Sequence, residues 1–505
     1  MYTEENELYI ANHAGKKICM VGKMSNRHGL IAGATGTGKT VTLQVIAETF
    51  GQAGVPCFMA DMKGDLSGIS QVGSMTKFIE SRKDEFGVPN PEFSSCPVRF
   101  FDVFGEQGHP LRTRVCDMGA QLMARLMELN ETQTGVLTVV FKIASDEQMP
   151  IVDLKDLRSL LDYVGQNAKQ YTTNYGNISA TSIGAIQRSL MTLEAEGADK
   201  FFGEPAFHVE EFIKTIGGKG VMNILAADKL MLKPKMYSTF LLWMMTSLYE
   251  TLPEVGDMEL PKLIFFFDEA HMLFEDTSKA LADKIEQIVR LIRSKGVGIY
   301  FISQSPMDIP EDILGQLGNR VQHALRAYTP KDQKAVKTAA ATFRANPEFK
   351  TEDAIMELET GEALISFLDE KGAPSIVERC KVLFPLSQIG AITPEQRRQF
   401  IERSDIYGKY EDAIDSRSAF EILHDKREDA AANGTALTDK ERAKKEKEDA
   451  KLAKEQERLE KAKAKEEEKK RKEKEKRNAK IMNTVVKTAT SGTVLKFIGK
   501  FLFGK

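Results

Sequence analysis

An α/β fold built on a mostly parallel sheet is the architecture this sequence predicts, and two observations predict it. Short apolar runs that stop at a glycine or an acid recur from residue 29 to residue 303, and stretches with helical spacing separate them. Strands that alternate with helices return by crossovers, which gives a parallel sheet covered on both faces. Length agrees with this: 505 residues at 42% apolar content can bury a sizeable core and still carry appendages.

The elements follow in order. Gly29 to Gly33 is an apolar run closed by glycine; after Ala34, Thr35, Gly36, Thr37, Gly38, Lys39 and Thr40 come Val41, Leu43, Ile46, Ala47 and Phe50 at helical spacing. That stretch reads as strand, loop, helix. Val55 to Ala60 is a second strand, ending at Asp61, and Val98 to Phe104 a third. Residues 116–215 show helical patterning with polar loops such as Thr172 to Asn177, so an α-helical insertion is expected. Strand character returns at Met222 to Ala227, followed by an apolar helix from Ser238 to Tyr249. Leu263 to Phe267 and Gly298 to Ser303 are buried-strand candidates, joined by a helix with Leu281, Ile285, Ile288, Val289 and Ile292 on one face. Ala363 to Asp369 and Ser375 to Leu383 form a β-hairpin whose turn contains Gly and Pro.

The chain thus divides into a first core portion (residues 1–115), the insertion (116–215), a second core portion with the hairpin (216–424), a charged helical spacer (425–480) and a basic amphipathic tail (481–505). In residues 439–480, 32 of 42 side chains are charged, with i,i+4 pairs such as Glu457 and Lys461, which supports a solvated helix. Leu452 and Leu459 alone make no heptad seam, so a single helix of about 60 Å is expected rather than a coiled coil. Net charge is -3 overall, but residues 439–480 contribute +6 and the tail +4, leaving the body at -13. No global positive field points to nucleic acid or membrane. The tail, with four lysines among Val, Leu, Ile and Phe, suits a membrane surface, a partner, or packing on its own body. Five scattered cysteines with no C-x-x-C pair argue against a zinc site or a disulfide framework. With no apolar run near the ~20 residues of a bilayer span, a cytoplasmic location is expected.

Gly33-x-x-x-x-Gly38-Lys39-Thr40 carries the chemistry. Its glycines let backbone N–H groups curl around phosphates, Lys39 reaches the β/γ-phosphate oxygens, and the Thr40 hydroxyl ligates Mg²⁺. Its place between strand and helix separates it from an ordinary glycine-rich turn. Phe265-Phe-Phe-Asp268-Glu269-Ala-His271 adds two carboxylates at the polar end of an apolar strand, a costly placement unless they are used. Asp268 would hold Mg²⁺ through water and Glu269 would polarise the attacking water. His271 has two readings, packing beside the site or serving as a ligand. Gln304, closing the next strand, is placed to sense the γ-phosphate, or else it caps a loop. Arg290, Arg293, Arg320 and Arg326 are candidates for an arginine finger reaching a neighbouring subunit.

Together, Asn26 to Thr40, Asp61-Met-Lys63-Gly-Asp65, Asp268-Glu269-Ala-His271 and Ser303-Gln304-Ser-Pro306 resemble the HerA/FtsK superfamily of P-loop ATPases, in particular its bacterial HerA-helicase C-terminal-domain-like branch. That resemblance implies a RecA-like P-loop NTPase core in a homo-hexameric ring, ATP hydrolysed with Mg²⁺ at subunit interfaces, and double-stranded DNA in the central channel. The nucleotide would lie on Gly33 to Val41, with Thr40 and Asp268 at the metal, Glu269 and Lys39 at the reacting phosphate and Gln304 as sensor. Arg293 is the finger by its spacing of eleven residues before Gln304. Asp61 and Lys63 would sit beside the nucleotide or form a plain turn. No nuclease carboxylate cluster is seen, so cutting would fall to a nuclease partner. Ring ATPases of this superfamily also move polypeptides, which leaves an ATP-dependent protein-remodelling or secretion-type motor as the alternative, beside a partner-docked ATPase scaffold suggested by the tail. Arg112, Arg114, Lys142 and Lys169 are candidates for a DNA channel.

Overall fold

The computed structural model describes residues 1–256, 258–274 and 279–432; the spacer beyond residue 432 and the tail at 481–505 lie outside them. The strands are β1 (Leu8–His13), β2 (Lys16–Met20), β3 (Gly29–Ala32), β4 (Cys57–Asp61), β5 (Val98–Asp102), β6 (His109–Pro110), β7 (Thr215–Ile216), β8 (Lys219–Gly220), β9 (Met222–Ala226), β10 (Leu263–Phe267), β11 (Val297–Ser303), β12 (Asn319–Gln322), β13 (Glu362–Ser366) and β14 (Glu378–Val382). Among the described residues, twelve form one sheet in the order β2-β1-β14-β13-β12-β3-β11-β10-β4-β9-β5-β6, and β7 pairs with β8 separately. From β12 to β6 every pairing is parallel. From β12 to β2 every pairing is antiparallel.

Burial explains why the central strands are continuous apolar runs. In β10, Leu263, Phe265 and Phe267 enter one core while Ile264 and Phe266 enter the other. The same alternation divides Phe58 and Ala60 from Cys57 and Met59 in β4. Each strand is therefore covered on both sides, as a parallel sheet requires. On the first face lie the helices Val115–Leu126, Glu131–Asp146, Leu154–Gln166, Ala168–Tyr175 and Ala180–Ala195 of the stretch expected to be helical, together with Pro234–Thr251 and Lys279–Ile292. Two of these start at reciprocal caps, Asn130 with Gln133 and Asp153 with Asp156. Asp156 is fully buried and accepts hydrogen bonds from the Val152 and Phe420 amides and the Ser418 hydroxyl, which ties the insertion to the start of the helix Ala419–Ala432.

The second face is covered by the helix Lys39–Gln52, nearly all of which is buried. Its Glu48 is 3% exposed and accepts from the Leu386 amide at 2.8 Å and the Ser387 amide at 3.1 Å, while Gln44 donates to Ser387 Oγ at 2.6 Å. A buried carboxylate without such partners would be strongly destabilising. These bonds lock the helix that begins at Lys39 against the chain after β14.

Among the strands of four residues or more, three lie outside the runs read from hydrophobic periodicity. β1 and β2 extend the antiparallel edge beside β14. β12, Asn-Arg-Val-Gln, has one apolar residue in four yet lies inside the sheet. Its Asn319 is 1% exposed because every polar group is used: Nδ2 donates to the Met24 and His28 carbonyls and Oδ1 accepts from Leu368 N–H. Polar side chains satisfied by neighbours far along the chain can occupy core positions that sequence patterning reserves for apolar ones. The five cysteines, all within the described residues, are free thiols. Among the described residues no helix is long and apolar enough to cross a membrane.

Candidate active site

Because β12, β3, β11, β10 and β4 are neighbours and parallel, their carboxyl ends share one edge, where open α/β sheets place their ligands. The loop Gly33 to Gly38 leaves β3 at that edge. Gly33, Gly36 and Gly38 take positive φ of 154°, 79° and 113°, the freedom that curls the loop. Thr37 Oγ1 closes it by donating to the Ala34 carbonyl at 2.7 Å. Thr35 and Gly36 are exposed at the rim, Thr40 is half-buried in the first helical turn, and Val41 packs on the second core. The Lys39 ammonium arches back to the Gly33 and Ala34 carbonyls at 2.6 and 3.1 Å. Burial lowers its pKa, opposed by the charges of Glu269 and Asp268.

β12 and the start of β13 brace this loop from behind. Ala34 N–H donates to the Ala324 carbonyl at 2.8 Å and Gly361 N–H to the Thr37 carbonyl at 3.1 Å. His323, fully buried, has Nδ1 2.8 Å from the Glu362 carbonyl and Nε2 2.8 Å from Thr42 Oγ1. A carbonyl only accepts, so Nδ1 carries the proton and Nε2 accepts from the Thr42 hydroxyl. On the far edge His28, 3% exposed, accepts Ile299 N–H at its Nδ1. Burial pushes both imidazoles down to about 4.

A depressed histidine pKa gives stability that is complete above the unfolded value of ~6.5 and is lost as pH falls toward the folded value. Asp61 and Asp268, with raised pKa values, contribute the opposite sign, so the test is a difference. The stability lost in His323→Asn relative to the native chain is expected to shrink by about 1.4 kcal/mol per pH unit below ~6.5. Denaturant unfolding of both chains at pH 7 and pH 5 measures this; an equal difference at the two pH values would refute the neutral, braced imidazole.

Beyond β10, Asp268 is 6% exposed, and burial, then the Glu269 charge, pushes its carboxyl up to about 6. Glu269 follows with φ 47°, ψ 49°, a left-handed backbone unfavourable for a non-glycine residue. That bend turns its side chain back along the sheet edge. Glu269 Oε1 accepts from Lys63 Nζ at 2.7 Å, while Oε2 lies 3.4 Å from Gln304 Nε2 and 3.5 Å from His271 Nδ1. Burial raises the Glu269 pKa, but the bond and charge of Lys63, with Gln304 and His271, outweigh it and hold the group below its ordinary value. Glu269 is therefore an ionised, oriented carboxylate.

At the end of β4, Asp61 and Lys63 have separate tasks. Asp61 Oδ1 accepts from the Gly64 and Lys63 amides at 2.7 and 3.3 Å and so builds the turn; Oδ2 is buried and, among the described residues, meets no partner. Burial, then Asp65, pushes the Asp61 carboxyl up to about 7. The turn it makes delivers the Lys63 ammonium to Glu269, a contact between residues 206 positions apart.

The arginines are distributed otherwise. Arg293 is exposed in the turn before β11, at the strand end opposite Gln304, and so does not reach this chain's own loop. Arg320 is spent on the Leu314, Leu317 and Thr342 carbonyls and Arg326 on that of Met356. Arg290 pairs with Glu286 at 2.5 Å. Of the proposed channel residues, Arg112 donates to the Tyr410 and Glu411 carbonyls, Arg114 pairs with Asp117 and Lys142 with Asp146.

The model of the family described as Helicase HerA-like C-terminal matches residues 6–505. Over 99 residues the chain is 32% identical to the DNA double-strand break repair helicase HerA of Sulfolobus acidocaldarius, a match spanning 19% of each protein. The unbound bacterial conjugative coupling protein TrwBdeltaN70 is similar in fold, with a TM-score of 0.50 and 14% identity, covering 76% of this chain and 91% of that one. The plasmid coupling protein TrwB in complex with the non-hydrolysable GTP analogue GDPNP gives the same TM-score and coverage at 15% identity.

Proposed function

This chain belongs to the Helicase HerA-like C-terminal family, and from that membership we propose that it is an ATP-hydrolysing ring motor that translocates double-stranded DNA. The observation that carries the chemistry is the meeting of Lys39, Asp268, Glu269 and Gln304 at one sheet edge, with Glu269 oriented by both Lys63 and Gln304. The amides from Gly33 to Val41 cradle the phosphates at the start of a helix, where partial positive charge favours anions. Lys39 exchanges its two carbonyl partners for phosphate oxygens. Glu269 accepts the proton of the water attacking the γ-phosphorus, and Gln304 fixes that water's orientation.

Thr40 and Asp268 would hold Mg²⁺. The fit rests on Asp268, a desolvated carboxylate facing the negative charges of Glu269 and Asp65, which a cation relieves. When bound, the ion neutralises charge on the β- and γ-phosphates. TrwB, similar in fold, binds a non-hydrolysable nucleotide analogue, which supports the nucleotide reading. Arg293, directed away from its own site, would serve a neighbour's nucleotide in a homo-hexamer. DNA cleavage would require a nuclease partner, the five free thiols suit a cytoplasmic setting, and the lysines and apolar residues in the sequence of 481–505 suit a partner or a membrane surface.

Translocation predicts ATP turnover stimulated by linear double-stranded DNA, with the stimulation falling steeply with salt. A channel touching six to ten phosphates loses about 10³–10⁵ in affinity between ~50 and ~200 mM salt. Steady-state hydrolysis across that series checks this, and stimulation indifferent to salt would contradict it. A second reading, movement of a polypeptide, is favoured by the internal pairing of Arg112, Arg114 and Lys142 in a body of net charge -13. Hydrolysis unaffected by DNA but raised by a copurifying protein would select it.

A further inference from the structure

Beyond Asp65, the segment leading to β5 supplies none of the motifs, yet it places two side chains beside the phosphate loop. The Arg82 guanidinium lies 4.2 Å from the centroid of the Phe78 ring and covers part of it. Phe78 is nevertheless 42% exposed. Both stand against Gly361, where a Cβ would come within 3.2 Å of Arg82 Nη1 and of Phe78 Cζ. Gly361, at φ +80°, is in turn bonded to the Thr37 carbonyl, and its nitrogen would lie 3.4 Å from a Cβ at Gly38. No side chain therefore separates the Phe78 ring from the loop. Arg82 Nη1 is buried and, among the described residues, has no hydrogen-bond partner, a situation that folds seldom keep without a use.

Sheet order supplies the direction. Glu269 and Gln304 place the terminal phosphate on the β11 and β10 side of β3, whereas Gly361 precedes β13 on the opposite side, beyond β12. A nucleotide with its γ-phosphate toward Glu269 extends its sugar and base toward Phe78. We propose that the exposed face of Phe78, backed by Arg82, is the platform on which the base of a purine nucleoside triphosphate stacks. This rests on the reading of Gly33 to Thr40 as the phosphate site. A stacked ring reads the π-face and not the hydrogen-bonding edge of a base, so ATP and GTP are accepted alike.

Calorimetric titration of the full chain with ATP, GTP and inorganic tripolyphosphate, each with Mg²⁺, tests this. Phe78→Ala is expected to weaken ATP and GTP about tenfold, the scale of one lost aromatic stack, and to leave tripolyphosphate unchanged; Phe78→Trp should restore both nucleotides. In the native chain ATP and GTP should bind within about tenfold of each other, far from the ~10⁴-fold rejection produced by edge-reading hydrogen bonds. Unchanged ATP affinity in Phe78→Ala, equal weakening of tripolyphosphate, or discrimination near that larger figure would each overturn the proposal. Lys39→Ala separates the two readings: it should weaken all three ligands, and unaltered tripolyphosphate binding there would overturn the phosphate site itself.

Discussion

Replacing Glu269 by glutamine is expected to lower ATP turnover about 10²–10⁴-fold, the usual scale for a general base, while nucleotide binding persists. The substitution keeps size and shape, so the left-handed bend at φ 47° and the packing below it are preserved. What disappears is the charge that Lys63 holds ionised through its 2.7 Å bond. An amide in that place accepts from Lys63 but cannot take a proton from water. Single-turnover hydrolysis measured beside nucleotide affinity separates chemistry from binding. Turnover within about threefold of the native chain would remove Glu269 from the base role, because loss of a base at the reacting water costs far more.

Lys39→Ala is expected to act on binding instead, weakening ATP about 10²-fold, as removal of charge-assisted hydrogen bonds to phosphate implies. Its effect on the ligand-free protein should have the other sign. The ammonium is partly desolvated and its pKa lowered, so its charge is held at a cost that the Gly33 and Ala34 carbonyls offset in part. Thermal unfolding without nucleotide should therefore occur at an unchanged or higher temperature in the variant, and the upward shift on adding ATP should vanish. A variant that unfolds earlier yet retains the ATP-induced shift would mark Lys39 as a structural strut rather than a phosphate ligand.

Much of this site was legible in the sequence. Gly33, Gly38, Lys39 and Thr40 are close in the chain and act through local backbone conformation, so spacing alone identifies them. Asp268, Glu269 and Gln304 close apolar runs, and in a parallel sheet the ends of such runs converge. The helical stretch after residue 115 and the hairpin of β13 and β14 were visible for the same reason, since each is a local pattern. β12 was not, because Asn319 is buried on the strength of hydrogen bonds to Met24, His28 and Leu368, all distant in the chain, while Gln322 is buried donating to the adjacent His323 carbonyl. His323 had no signal at all: its task of joining Thr42 to Glu362 exists once β12 lies between β3 and β13.

By itself, then, the sequence determined which groups are candidates for the chemistry and which strand ends carry them, since glycine spacing and apolar runs act over a few residues. Tertiary structure decided what each charged group meets. The adjacency of β4 and β10 brings Lys63 to Glu269, the strand end that carries Arg293 keeps that residue from this chain's own loop, and Arg112, Arg114 and Lys142 each meet an acceptor within the chain. Contacts of this kind depend on strand order and on the dielectric around each group, and both arise only when residues hundreds of positions apart are packed together.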